Sequence, residues 1–220
     1  KLLSVGSASH FMADLARMNF KTLSGFGGDI MVSVFFSYII IPLSTFMLAR
    51  GTGYFSTNFS SIRTSLSRQG EFLLWSIITG TYFFFSLRFI LFQAKKQFDI
   101  RKELVLLYLS AGMMFAFVAT PYLPARFPLL SALHVFSALL STVVLFFCLL
   151  FLAFKLYWTA PGKGRPCLLL LIAMAVFCIS SFILTGIINT AMEISFVLAC
   201  CLLIRLYLRL FCLERGPDRK

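Results

Sequence analysis

The chain has 220 residues, of which 60% are hydrophobic and only 13% charged, with 27 phenylalanines and a mean hydropathy of +0.92. A soluble protein carries roughly 45–50% apolar and about 25% charged residues, so too little polar surface remains to cover a water-soluble globule, and an integral membrane protein is expected. The formal charge of +12 would point to nucleic acid in a soluble chain, but here the basic residues sit at the ends of apolar runs, where they anchor helices beside anionic lipid.

In chain order, residues 1–28 are mixed polar and lack the apolar core of a signal peptide. Phe11, Met12, Leu15 and Met18 recur at helical spacing, with Asp14, Arg17 and Lys21 off that face. This pattern predicts a short amphipathic helix lying on the inner leaflet. A spanning helix needs roughly 20 apolar residues. Six runs meet or approach that length, Ile30–Ala49, Phe72–Phe92, Leu104–Thr120, Leu129–Phe154, Cys167–Ile188 and Ile194–Cys212. The expected architecture is all-α, a polytopic six-transmembrane-helix bundle over residues 29–212 with a basic tail at 213–220. Leucine and phenylalanine point in all directions along the runs, so periodicity does not separate lipid-facing from bundle-facing sides.

Boundary residues refine the map. Pro128 and Pro166 fall where the first turns of the fourth and fifth spans are predicted, a position at which the missing N–H costs nothing. Asp29, Glu71 and Glu103 each open a span, where a carboxylate complements the positive helix end. Thr190-Ala191-Met192-Glu193 has the spacing of a capping box opening the sixth, with the Glu193 side chain expected on the Thr190 N–H. Sixteen Lys and Arg fall on the side of the termini and four, Arg50, Arg63, Arg68 and Arg126, on the other. The positive-inside rule then predicts both termini in the cytoplasm, with the cytoplasmic membrane as the expected location. Cys148, Cys167, Cys178, Cys200, Cys201 and Cys212 lie within or at the edge of apolar runs without metal-site spacing, and are read as small hydrophobes.

Hydrolase elbows, zinc-protease and P-loop sequences are absent from the chain. The two histidines, His10 and His134, fall on opposite sides of the predicted membrane, so no metal or haem centre is expected, nor any other cofactor. Polar residues inside a membrane are functional candidates because lipid makes them costly. Asn58, Arg63, Arg68, Glu71, Arg126, His134, Asn189 and Glu193 all belong to the predicted outer side. If they converge, they would form a polar pocket above an apolar bundle. The arginine excess there predicts an anionic or zwitterionic headgroup. Arg88, Arg205 and Arg209 are expected to meet headgroups of the inner leaflet, and Asn58-Phe59-Ser60 also matches a glycosylation triplet.

Two stretches, TNFSSIRTSLSRQGEFLLW entering the second span and PYLPARFPLLSALHVFSALLS entering the fourth, carry a family likeness. With six spans, the chain resembles, over about residues 30–212, the bacterial six-helix membrane proteins related to the Frag/DRAM/Sfk group. That resemblance implies a part in membrane-lipid organisation, directs interest to Asn58, Ser60, Gly70 and His134, and supplies no reaction. The function expected is therefore binding of lipid or a small amphiphile, or support of a membrane partner, without chemistry. The alternatives are a membrane-embedded enzyme using His134 with Glu71 or Glu193, and a small transporter or channel subunit. Expected partners are membrane lipids, with a protein partner or self-association as alternatives and no nucleic acid.

Overall fold

A computed structural model describes residues 32–64 and 68–213. The predicted amphipathic helix within 1–28, Asp29 and the tail at 214–220 lie outside the described residues. Six helices are long and apolar enough to cross a membrane: α1 (Val32–Ala49), α3 (Gln69–Ala94), α4 (Arg101–Ala119), α5 (Pro128–Thr159), α6 (Pro161–Thr185) and α7 (Thr190–Phe211). A short α2 (Phe59–Thr64) lies in the connection between the first two spans. No strand occurs among the described residues.

All six predicted apolar runs form long helices, and both ends of the fifth differ from expectation. Pro161, not Pro166, occupies the first turn of α6, and Pro166 lies within that helix. The single residue Ala160 therefore joins α5 to α6, a hairpin that the apolar-run criterion missed because Gly162, Lys163, Gly164 and Arg165 look like a loop. At the other end α6 stops at Thr185, where Gly186 takes a left-handed conformation at φ 71° that a side chain would disfavour. In α1, residues Phe36–Ile40 form a π-helical turn just before Pro42. Proline cannot donate to the carbonyl four residues back and crowds it, and a widened turn relieves both problems.

The helices run alternately up and down, and each of α3 to α7 packs on its neighbour in sequence. The last helix, α7, returns to the first, touching α1 and α3 as well as α6. It is the centre of the bundle, since 56% of its apolar window is buried against 22–39% for the other spans. Cys200, Leu203, Ile204 and Tyr207 on α7 are fully enclosed. The outward faces are apolar as well. Phe115, Ile183 and Leu184 are 74%, 74% and 85% exposed, a surface that water solvates poorly and hydrocarbon accepts.

Polar side chains pin the apolar helices together. Trp75 Nε1 donates to Thr45 Oγ1 at 2.9 Å, and Ser37 meets the Tyr82 hydroxyl, both joining α1 to α3. Ser110 and Ser141 each donate to the other's carbonyl at 2.9 Å, clasping α4 to α5. Tyr207 donates from the centre of the bundle to the Leu149 carbonyl at 2.9 Å. Tyr207→Phe keeps the ring and removes this bond, so it should cost about 1 kcal/mol. Denaturant unfolding in micelles checks this, and an unchanged midpoint would show that the bond contributes nothing net.

Candidate functional site

The helices define a loop end, where the connections 50–68, 120–127 and 186–189 gather, and a hairpin end containing Ala160. At the loop end, the connection after α1 folds onto the start of α7. Thr190 N donates to Thr57 O at 2.7 Å and Ala191 N to Tyr54 O at 2.9 Å. Asn189 is the N-cap of α7: its Oδ1 accepts from Met192 N, and its Nδ2 donates to Ser181 Oγ and Thr185 Oγ1. The capping box expected at Thr190 is therefore not formed. The loop carbonyl of Thr57 already holds the Thr190 N–H, which frees the Glu193 side chain to turn away. Its Oε2 accepts from Phe59 N at 2.7 Å, at the first residue of α2.

Asn58 caps α2, with Oδ1 accepting from Ser61 N at 2.9 Å. Ser60, two residues on, meets His134 on α5, with its Oγ 3.3 Å from Nε2. The other ring nitrogen, Nδ1, lies 2.9 Å from the Thr120 carbonyl. A carbonyl only accepts, so Nδ1 carries a proton, and when the ring is neutral Nε2 accepts from Ser60. Ser131, three residues before this histidine on α5, accepts from Leu123 N. His134 is completely buried and packs against Phe117 and Tyr122, with ring centroids 4.4 and 5.3 Å apart.

The expected polar residues thus converge only in part. Asn58, Ser60, His134, Asn189 and Glu193 form one connected loop-end assembly. Arg68 belongs to a different contact. It donates to the carbonyls of Leu48 and Arg50 at 2.8 Å, closing the C-terminus of α1, and pairs with Glu71 at 3.0 Å. Glu71 is exposed and takes no part in the Glu193 contact. Arg126 is exposed in the connection before α5, and the side chain of Arg63 lies outside the described residues. Toward the hairpin end, Arg88 and Arg205 are half-buried and Arg209 exposed. The Arg205 guanidinium lies 5.8 Å over the Tyr38 ring.

Below the loop-end assembly is a cavity of about 950 Å³ between α3, α4, α5, α6 and α7. Along α3 its lining runs from Phe72 to Leu87, about 22 Å at the rise of an α-helix. Leu139, Val143 and Phe147 on α5 and Ile179 and Phe182 on α6 line it and are 39–60% exposed. Residues that both face a cavity and reach the outside mark its mouth. The cavity therefore opens sideways between α5 and α6, which the hairpin holds together only at their other ends. Its walls are apolar, with Asn58, Ser60, Tyr122 and Glu193 at the loop end. Deeper, Ser110 and Ser141 satisfy each other, whereas the buried Thr79 Oγ1 lines the wall with no hydrogen-bond partner. Arg68, Arg126, His134 and Asn189 do not line it, and among the described residues Glu193 is the acidic or basic side chain in its wall.

Sequence reasoning did not find this cavity, because leucine and phenylalanine surround every helix. The small residues Gly80, Ala111, Ala138 and Ala175 in its wall were the available signal. No three His, Cys, Asp or Glu residues form a metal-holding group among the described residues. Comparison with protein-family models, curated proteins and solved structures gives no significant match.

Proposed function

We propose that this is a multi-pass membrane protein that binds a lipid or another chain-bearing amphiphile, without catalysing a reaction, in a cytoplasmic membrane with its loop end outward. The observation that carries the reading is the long apolar cavity with a sideways mouth and polar groups collected at one end. Its volume is at the upper end of the roughly 300–1,000 Å³ typical of small-molecule sites. An acyl chain entering between α5 and α6 would replace lipid contacts with contacts to Phe83, Phe146 and Phe196, while its head remained near Asn58 and Glu193. Thr79 offers a hydroxyl to an ester or other polar group along the chain. The site around His134 serves this reading as scaffold: both ring nitrogens are held, and neither Glu71 nor Glu193 is bonded to it.

Trp75 lines the cavity and is only 9% exposed, whereas the other tryptophan, Trp158, is 80% exposed at the hairpin end. In a Trp158→Phe protein, Trp75 reports on the cavity. Micelles of dodecyl maltoside brominated along the chain should quench it, because bromine quenches at contact range. Ala138→Phe, which fills the wall, should restore the emission. Unquenched Trp75 in the brominated micelle would sink the cavity reading.

A further inference from the structure

Within that reading of the cavity, we propose that its loop end selects a cationic nitrogen, an amine or quaternary ammonium head on an apolar chain. This reverses the charge preference suggested by the arginine count. Arg68 is engaged at the end of α1, and neither it nor Arg126 lines the cavity. Among the described residues, the acidic or basic side chain in the wall is that of Glu193.

The geometry of Glu193 presents one oxygen. Oε2 is anchored by the Phe59 N–H at 2.7 Å, which fixes the carboxylate without occupying Oε1. The start of α7 offsets part of the charge, since a helix N-terminus is equivalent to roughly half a positive charge. The next basic side chain along α7 is Arg205, twelve residues on and about 18 Å away at helical rise. The ring of His134 is engaged by Thr120 and Ser60. A ligand ammonium would supply the missing partner in a low-dielectric setting, where a charge-assisted contact is strongest.

The neighbouring walls suit the same group. Phe59 follows the anchoring N–H directly, and its ring stands edge-on to Trp75 with centroids 5.0 Å apart. Phe196 lies one turn beyond Glu193 on α7, and Tyr122 lines the same end. Aromatic faces beside a carboxylate attract ammonium and methylated ammonium heads through their negative π-surface. An anionic head at this place would meet the Glu193 carboxylate with like charge, and among the described residues no cation lines the wall. The required nitrogen could be carried by a simple long-chain amine or by the choline or ethanolamine head of a phospholipid.

The test uses the full-length Trp158→Phe protein in brominated dodecyl maltoside and follows recovery of Trp75 emission as unbrominated competitors are added. Dodecyltrimethylammonium should displace the brominated chain at a mole fraction about 10-fold lower than unbrominated dodecyl maltoside, the ratio for one charge-assisted contact. Dodecylphosphocholine shares that advantage if a phospholipid head is accepted, and follows the maltoside if the site takes a bare ammonium. Dodecanoate should be the weakest competitor. Glu193→Gln should abolish the advantage of the cation, with an unchanged helical circular-dichroism spectrum certifying the fold. Equal potency of cation and maltoside in the parent protein overturns the inference and leaves the cavity reading standing. Absence of quenching by any brominated chain overturns both.

Discussion

Gly164→Ala should destabilise the protein by about 3 kcal/mol, the upper part of the range for forcing atoms into a filled site. Gly164 lies near the start of α6 where that helix meets the end of α5. A Cβ placed there would be 2.3 Å from Tyr157 N, 2.4 Å from Tyr157 Cα and 2.8 Å from Leu156 C. These are backbone atoms of a continuous helix, so no side-chain rotation can relieve the clash. The sign makes the test decisive. In an open helical position, alanine in place of glycine gains up to about 1 kcal/mol. Gly162, two residues earlier in the same helix, has nothing within 4 Å of its notional Cβ, and Gly162→Ala should be neutral or stabilising. Unfolding midpoints of the two variants in the same detergent should therefore move in opposite directions. Equal behaviour would show that α5 and α6 do not approach as described. The same contact bears on the cavity, because the hairpin sets where α6 stands and hence how far the mouth opens beside Ile179 and Phe182.

This close approach also shows what the sequence could and could not reveal. Six long apolar helices are legible because the run of roughly 20 apolar residues that a spanning helix needs is visible in composition alone. The α5–α6 join was not, because Gly162, Lys163, Gly164 and Arg165 have loop composition, while tertiary packing against Tyr157 winds them into the helix. Glu193 was read through a local capping motif, but the loop before α2 reached Thr190 and Ala191 first and redirected the side chain. Arg68 looked like a headgroup ligand for the same reason: the carbonyls it closes belong to α1, some twenty residues earlier in the chain. Polar contacts between segments distant in sequence decided each case, and composition carries no record of them. His134 stands out in the sequence as a candidate binding or catalytic residue, but its partners Thr120 and Ser60 are visible only with the loops in place.

Lys155→Met should cost about 3 kcal/mol, and adding Glu103→Met should restore most of the loss. Glu103 opens α4 and was expected only to complement the helix N-terminus. It does occupy the first turn, yet its side chain is 1% exposed and its Oε1 lies 2.5 Å from Lys155 Nζ on α5. Removing the lysine strands a buried carboxylate, which typically costs about 3–5 kcal/mol. The lower figure applies because Lys155 is 32% exposed and water can follow its departure. Lys155 also donates to the Asp99 carbonyl, and that bond is lost in either variant. Replacing both charges by methionine removes the desolvation penalty together with the attraction, an exchange that is often neutral or favourable. A double-mutant cycle of unfolding free energies should therefore show strong non-additivity. The double variant also separates two roles for the pair. As a fastener of α4 to α5 at the hairpin end, it lies apart from the cavity wall, so Trp75 should remain quenched by the brominated chain. A pair that served as an ion relay in a transporter would instead leave a stable double variant with normal amphiphile binding and no ion movement in proteoliposomes. Ion flux that is present in the parent and lost only in this variant would move the function from binding to transport.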